Sequence, residues 1–162
     1  MTVVSTTQDT EALSLVIVSE LTAPPQRVWQ VWADPRQLER WWGPPEWPAT
    51  VVDHDLRAGG RTSYYMTGPD GSKAHGWWTV VSVDEPRSIA FDDGFADDSG
   101  HPAQDMPVTR VEVAFEEIPT GTRMSVTSRF PTLEALEQMV GMGMLEGMTL
   151  ALGQIDAVLA DA

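Results

Sequence analysis

His54 is the titratable residue that strand alternation places among apolar side chains and away from the aspartates on either side of it. The residues from 49 onward alternate with period two, which predicts a strand that turns His54 to the same face as Val52 and Leu56, and Val51 to the other. An imidazole on an apolar face has two interpretations: a core side chain satisfied by a backbone hydrogen bond, or a hydrogen-bonding group for a ligand. We favour the first, and the second makes His54 a candidate ligand-binding residue.

Two acidic stretches resemble metal sites only superficially. Asp53, His54 and Asp55 are consecutive, so in a strand they point to alternating faces and cannot converge on one ion. Residues 92–107 are rich in Asp, Gly and Pro but lack the ligand spacing and closing glutamate of an EF-hand loop. We therefore predict no metal site, and we interpret 92–107 as a mobile, solvated loop.

No catalytic set is recognisable in the sequence. Acid–base and nucleophilic catalysis need matched groups within hydrogen-bonding reach. Tyr64 and His75 could lie on neighbouring strands and act as such a pair, although two structural residues are the simpler interpretation. The chain has no cysteine, hence no thiolate nucleophile and no cysteine-ligated metal. We expect no catalytic residue and no cofactor, and favour a protein that is not an enzyme.

The many aromatic and methionine residues are most simply core packing, with the lining of an apolar cavity as the alternative. The chain has seven tryptophans and eight methionines, and methionine both fills cores and adapts to varied ligands. Gly143 and Gly147 lie in a predicted helix, where each costs about 1 kcal/mol relative to alanine, so they serve either close packing on a sheet, room for a ligand, or a kink. The predicted ligand-binding residues are Trp42, His54, Thr62, Tyr64, Met66, Trp78, Phe91, Met124, Met144 and Met148.

Changes of hydrophobic period define the elements that must position these residues. A strand over Leu13–Leu21 is followed by two short helices, which begin at Pro24-Pro25 and at Asp34-Pro35. Six further strands fill 49–129, and Thr132 caps a long C-terminal helix with an apolar stripe. This order predicts an α+β fold with a seven-stranded antiparallel meander. We expect a flexible N-terminus over 1–12 and a single domain over 13–162.

Several local motifs resemble the START-like (SRPBCC) superfamily, and within it the activator of heat-shock-protein ATPase homologue-like family. These motifs are Asp-Pro at 34–35, Trp-Trp-Gly-Pro at 41–44, Asp-Leu-Arg-Ala-Gly-Gly at 55–60 and Gly-Pro-Asp-Gly at 68–71. The resemblance implies a helix-grip fold, in which a curved sheet wraps around the long C-terminal helix and leaves a cavity. Ser19 departs from the arginine expected in many relatives, which alters the expected charge of the cavity.

The resemblance implies three alternative functions. Relatives bind lipids, hormones or polyketides, some cyclise polyketides, and the eponymous members are co-chaperones. We therefore expect binding of a small hydrophobic or aromatic ligand between the C-terminal helix and the sheet, with residues 92–107 as a lid. The alternatives are a co-chaperone-like stimulator of a chaperone ATPase and a polyketide cyclase or aromatase-type enzyme.

The charge of the chain narrows the choice of partners. Ten Lys and Arg against 24 Asp and Glu give a formal net charge of −14, which repels phosphate backbones and anionic lipid surfaces. We therefore expect a small apolar molecule as partner, no nucleic acid and no membrane, and leave a homodimer open. No long apolar run or basic leader is present, so we expect a cytoplasmic location.

Overall fold

Alternating apolar and polar segments pair into a single curved antiparallel sheet. The computed structural model describes residues 2–161. Its strands are β1 Thr2–Asp9, β2 Ser14–Leu21, β3 Ala49–His54, β4 Arg61–Thr67, β5 Lys73–Asp84, β6 Ser88–Ala96, β7 Thr109–Ile118 and β8 Gly121–Arg129. Its helices are α1 Pro25–Ala33, α2 Pro35–Leu38, α3 Leu133–Gly141, α4 Met144–Leu152 and α5 Ile155–Ala160. The strand order is β1-β2-β8-β7-β6-β5-β4-β3, so β1 and β3 form the edges of the sheet.

The N-terminal segment adds an eighth strand to the sheet. The expectation of seven strands is therefore wrong, because residues 2–9, within the segment 1–12 that was expected to be a flexible N-terminus, form a strand, while Met1 lies outside the described residues. β1 pairs with β2 along its whole length. Most of its side chains are polar and exposed, so it carries no apolar alternation that could reveal it, and main-chain hydrogen bonds to β2 hold it in place.

The two short helices after β2 follow the predicted start signals. Pro25 begins α1, whose buried face carries Val28, Val31 and Trp32. Asp34 caps α2 by accepting a hydrogen bond from the backbone N–H of Arg36 at 2.9 Å. This cap also fixes the chain that leads to Trp41 and Trp42, and it thereby places the second tryptophan beside the sheet.

The C-terminal region is three short helices, so the prediction of one long helix is wrong. Gly143 separates α3 from α4 in the left-handed conformation, with φ of 86°. An uninterrupted helix cannot include such a residue, because its backbone turns the opposite way. The chain turns again at Gly153 before α5 begins. The predicted apolar stripe nevertheless reaches the core, since Leu152 and Ile155 are buried in it, while Leu145, Met148 and Leu159 are partly buried and pack against it.

An aromatic core fills the space between the sheet, α1 and α5. Trp32, Trp41, Trp78 and Phe91 are completely buried. The rings of Trp78 and Phe91 stack with their centroids 3.9 Å apart. Close packing of this kind leaves no room for a ligand at that end of the sheet, and the open space lies instead under α3 and α4.

β6 is longer than the sequence indicates. It continues through Ala96, so the first residues of the predicted loop 92–107 belong to the sheet. The remaining loop turns back onto β6, because the N–H of Ala103 donates to the carbonyl of Phe95 at 2.8 Å. Among residues 2–161, no helix is long and apolar enough to cross a membrane.

Candidate functional site

A cavity of about 260 Å³ lies between the sheet and the junction of α3 with α4. The sheet side is formed by Tyr64 and Met66 of β4 and by Asp93 and Phe95 of β6. Trp42, from the turn after α2, completes this wall, and Pro44 lies beside it. The cavity is therefore mostly apolar, with a single carboxyl group in its sheet wall.

The helix side of the cavity is formed by thioethers and glycines. Its lining residues are Met139, Met142, Gly143, Met144, Gly147 and Met148. Flexible methionine side chains give this wall a shape that can adapt to different apolar molecules. Both predicted helix glycines are thus part of the cavity, and neither is pressed against the sheet.

Gly147 leaves space that a larger residue would fill. A Cβ atom built at this position meets no atom within 4 Å apart from its own helix. Close packing on the sheet would have placed neighbouring atoms there. Of the alternatives left open by the sequence, room beside the helix therefore fits Gly147, and a break in the helix fits Gly143.

Five of the ten predicted ligand-binding residues line this cavity, and five do not. The five that line it are Trp42, Tyr64, Met66, Met144 and Met148. The other five, found in or beside the core, are His54, Thr62, Trp78, Phe91 and Met124. Met124, for example, accepts a hydrogen bond from the indole of Trp32 through its sulfur at 3.4 Å. The sequence left the direction of Trp78 open and favoured inward positions for the others, but the core occupies the space in front of these residues.

His54 faces inward for a reason other than simple alternation. β3 carries a bulge between Val51 and Asp53, so Val52 is 61% exposed while Val51 is 2% exposed. The predicted faces of these two valines are therefore wrong, and the bulge turns His54 inward. Its Nδ1 lies 2.7 Å from the Thr62 hydroxyl, and its Nε2 lies 2.8 Å from the Trp32 carbonyl oxygen. Burial lowers the pKa of His54, and both ring nitrogens have partners, which fits a structural residue.

The hydroxyl of Tyr64 reaches across β5 to a carboxyl group on β6. It donates to Oδ1 of Asp93 at 2.8 Å. The ring crosses β5 over Gly76, where a Cβ atom would overlap the Tyr64 ring and hydroxyl. Gly76 is therefore required for this contact, because any side chain there would push the tyrosine out of the cavity wall.

The Tyr64–Asp93 pair is strongly perturbed by its surroundings. Burial raises the pKa of Asp93 to about 7, although the hydrogen bond from Tyr64 opposes this rise. Burial, followed by the charge of Asp93, raises the pKa of Tyr64 well above its ordinary value. The buried indole N–H of Trp42 makes no hydrogen bond of regular geometry, but it lies close enough to the Tyr64 hydroxyl to lower its pKa slightly.

Sequence reasoning missed Asp93 because it placed this residue in a solvated loop. The residue belongs to β6, where Phe91, Asp93 and Phe95 share the inward face. Extending the alternation of β6 by four residues would have revealed it. Residues 97–107 do not line the cavity, so the structure does not support the loop as a lid.

The other candidate chemistry is not assembled. Tyr64 faces the cavity, while His75 lies on the opposite face of the sheet beside Tyr65, with ring centroids 5.6 Å apart. The proposed acid–base pair of Tyr64 and His75 is therefore wrong. Within residues 2–161, no group of three or more His, Asp or Glu side chains is arranged to hold a metal ion.

Comparison with known proteins places this geometry in a family. The family described as "Activator of Hsp90 ATPase homolog 1-like protein" matches residues 22–160. Protein Ms6760 from Mycobacterium smegmatis is 50% identical, with a TM-score of 0.90 over 98% of this chain and 97% of that chain. A protein from Arthrobacter aurescens is 52% identical, with a TM-score of 0.95 over 99% of this chain and 94% of that chain.

More distant structures share the same fold. A protein from Staphylococcus epidermidis is 27% identical, with a TM-score of 0.84 over 99% of this chain and 94% of that chain. No protein of curated function matches the chain. The eight-stranded sheet, the C-terminal helices and the family match over 22–160 agree, and the chain therefore belongs to the activator of Hsp90 ATPase homolog 1-like family of the START-like superfamily.

Proposed function

We propose that this protein binds a small hydrophobic or aromatic molecule in the cavity between the sheet and α3–α4. The observation that carries the proposal is the cavity itself, about 260 Å³ in volume, with four methionines on one wall and aromatic rings on the other. Binding sites for small molecules are typically concave and mostly apolar, with a few well-placed polar groups.

The size of the cavity limits the ligand. An engineered apolar cavity of about 150 Å³ is sufficient to hold benzene. A cavity of about 260 Å³ therefore accommodates one substituted aromatic ring or a short aliphatic chain. A full-length lipid would have to extend out of it, which makes compact ligands the better fit.

Titration with phenethyl alcohol tests the proposal. We expect saturable binding of one molecule, detected by heat and by quenching of tryptophan fluorescence, since Trp42 lines the cavity. Met144→Trp fills the cavity and should abolish binding. Leu150→Trp is the matched control, because Leu150 is 57% exposed on the same helix.

Two results would contradict the ligand-binding function. One is the absence of phenethyl alcohol binding together with an empty protein in native mass spectrometry after purification from its own host. The other is equal binding by wild type and by Met144→Trp, which would place the molecule elsewhere on the surface. Circular dichroism of both tryptophan variants tests whether they are folded.

A second candidate function is proton abstraction from a carbon acid, as in a cyclase-type enzyme. It is favoured by Asp93, because a carboxyl with a pKa of about 7 beside an apolar cavity suits a general base. Exchange of the methyl hydrogens of acetophenone for deuterium measures this activity. Asp93→Asn should abolish any exchange above that of buffer, and wild-type exchange no faster than buffer would rule the function out.

A further inference from the structure

We propose that the cavity selects ligands carrying a protonated amine next to their apolar body, with Asp93 as the ion-pair partner of the amine. This inference rests on the proposed ligand-binding function and adds the chemical class of the ligand. Its starting point is a carboxyl group that is only half satisfied by the protein.

One oxygen of Asp93 is used and the other is available. Oδ1 accepts the hydrogen bond from Tyr64, which fixes the orientation of the carboxyl group. Within residues 2–161, Oδ2 has no hydrogen-bond partner, and it is not among the fully enclosed polar atoms that lack one. Asp93 is half-buried and lines the cavity. The free oxygen is therefore accessible to a donor from a ligand.

The protein supplies no cation to Asp93. The lining residues described above include no Lys, Arg or His. The adjacent Asp92 points to the other face of the sheet, where Arg110 donates to it at 2.6 Å. Within the described chain, no basic side chain forms a salt bridge with Asp93. An ionised carboxyl in such a place is costly, and a cationic ligand would offset that cost.

Aromatic side chains flank the carboxyl group. Trp42, Tyr64 and Phe95 all line the same cavity, and the Trp42 and Tyr64 rings meet edge to face with centroids 5.9 Å apart. Aromatic faces attract ammonium groups, most strongly when water is excluded. A carboxylate together with aromatic rings is thus a combination suited to an alkyl ammonium, whereas a carboxylate ligand would be repelled.

The titratable groups around Asp93 leave it as the single anion at the site. Tyr64 of β4 stays neutral, and β7 opposite contributes the uncharged Thr109. The helices contribute methionines and glycines to the lining, while the exposed Glu146 of α4 lies at its edge, where its Oε2 is 4.0 Å from a Cβ atom built on Gly143. The pH at which an amine binds should therefore follow the ionisation of Asp93.

Three probes with the same apolar body test the inference: phenethylamine, phenethyl alcohol and phenylacetate. At about pH 8, where Asp93 is ionised, we expect the amine to bind about tenfold or more tightly than the alcohol, as a charge-assisted hydrogen bond predicts. Phenylacetate should bind the weakest. Asp93→Asn should lower the affinity for the amine about tenfold and change that for the alcohol less than about twofold.

Glu137→Gln is the matched control, since it removes one negative charge from an exposed position on α3 that does not line the cavity. It should leave the preference for the amine unchanged. Lowering the pH through about 7 should weaken binding of the amine to the wild type, because Asp93 becomes protonated and loses its charge. The ligand does not cause this change, since an alkyl ammonium, like lysine, stays charged below about pH 9.

The outcomes separate this inference from the function on which it rests. Equal affinities for amine and alcohol, or a preference that survives in Asp93→Asn, would overturn the amine proposal and leave apolar ligand binding intact. Acetophenone has a carbonyl group and no amine. If it bound at low pH more tightly than phenethylamine binds at about pH 8, the amine proposal would also be overturned. Protonated Asp93 would then act as a hydrogen-bond donor to the carbonyl oxygen. Failure of all three probes, together with an empty protein in native mass spectrometry, would contradict both proposals.

Discussion

Asp93 shows how a single residue can acquire its properties from a neighbouring strand. Its carboxyl group is held by Tyr64, two strands away, and the ring of Tyr64 can reach it only because β5 carries Gly76 between them. The unusual acid–base behaviour of Asp93 therefore depends on three strands at once. Changes at any of the three positions should be detectable at the carboxyl group.

Asp93→Asn should change how stability depends on pH. Folded Asp93 holds its proton up to about pH 7, whereas the unfolded chain loses it near the ordinary pKa of 3.8. The folded state therefore binds more protons between these values, and this residue's contribution to the free energy of unfolding falls as pH rises from 3.8 to about 7. Removing the carboxyl should stabilise the protein by up to about 4 kcal/mol near pH 8 and by less than about 1 kcal/mol near pH 4.

Urea unfolding of both proteins at the two pH values measures this difference. Asp92→Asn is the control, because Asp92 is paired with Arg110 on the other face of the sheet and lies outside the cavity. A difference between Asp93→Asn and wild type that does not vary with pH would show that Asp93 ionises as in the unfolded chain.

Gly76→Ala should disconnect Tyr64 from Asp93. The added Cβ overlaps the Tyr64 ring, so the tyrosine must move, and overpacking of this kind costs about 1–3 kcal/mol. Loss of the hydrogen bond should raise the pKa of Asp93 further, because that bond lowers it. Carboxyl carbon NMR during a pH titration reports the pKa directly.

Gly94→Ala provides the comparison for Gly76→Ala. Its Cβ would overlap Trp77 on the outer face of the sheet, so it should destabilise the protein without moving the Asp93 titration. If the pKa of Asp93 were the same in the wild type, in Gly76→Ala and in Gly94→Ala, the role assigned to Gly76 would be wrong. The contact across β5 would then be a by-product of packing.

At the scale of elements, the helical segment that covers the cavity is interrupted and rich in glycine. α3 and α4 meet at Gly143, and Gly147 leaves space on the first full turn of α4. Glycine in a helix interior lowers helix stability, so this wall has been left less stable than an alanine-rich helix would be. In return, Gly147 leaves open space beside the helix that a ligand can occupy.

Gly147→Leu should therefore stabilise the protein and weaken ligand binding. Leucine forms helices better than glycine by roughly 1 kcal/mol, and its side chain would occupy the cavity. Gly141→Ala makes a similar helix change at a position that does not line the cavity. Thermal unfolding and phenethyl alcohol titration should show higher stability in both variants and weaker binding only in Gly147→Leu. Unchanged binding in Gly147→Leu would show that this space does not hold the ligand.

Gly143→Ala should have the opposite effect on stability. Its φ of 86° is unfavourable for any residue with a Cβ, by about 1–2 kcal/mol. We expect a lower urea midpoint for Gly143→Ala and a smaller decrease for Gly143→Asn, since asparagine tolerates this conformation better. Stabilisation by alanine would mean that α3 and α4 can join into one helix.

The sequence predicted those elements whose signals are local. Asp34 and Thr132 cap helices where a cap was expected, and both accept a backbone hydrogen bond. β1 was missed because a polar edge strand needs only main-chain partners. The bulge at Val52 was missed because both parities of β3 carry apolar residues, so alternation could not reveal the extra residue.

The cavity was harder to predict than the sheet. Tyr64 and Phe91 both face inward by alternation, yet only Tyr64 lines the cavity, because tryptophans from the segment after β2 fill the other end. Which inward residues meet a neighbour and which meet empty space depends on tertiary packing, and period alone does not contain that information.

At the scale of the whole molecule, the excess of acidic residues should govern both stability and ligand choice. The net charge of −14 makes the folded chain repel itself. Its ion pairs, such as Arg40–Asp161 and Arg57–Asp55, are exposed and each contributes little, about 0–1 kcal/mol. Repulsion should therefore outweigh attraction at low ionic strength.

Added salt should consequently raise the unfolding temperature while lowering the affinity for a cationic ligand. The screening length falls from about 30 Å at 0.01 M salt to about 8 Å at 0.15 M, which relieves repulsion in the folded state and weakens the attraction between the protein and phenethylamine. Thermal unfolding in sodium chloride and in potassium chloride should show an unfolding temperature that is a few degrees higher. Titration in the same salts should show a weaker affinity for phenethylamine and an unchanged affinity for phenethyl alcohol. A fall in unfolding temperature would mean that the ion pairs dominate. The electrostatic field of the acidic side chains produces both effects. An affinity for phenethylamine that is insensitive to salt would therefore mean that the bound ammonium group lies away from these side chains, and hence away from Asp93.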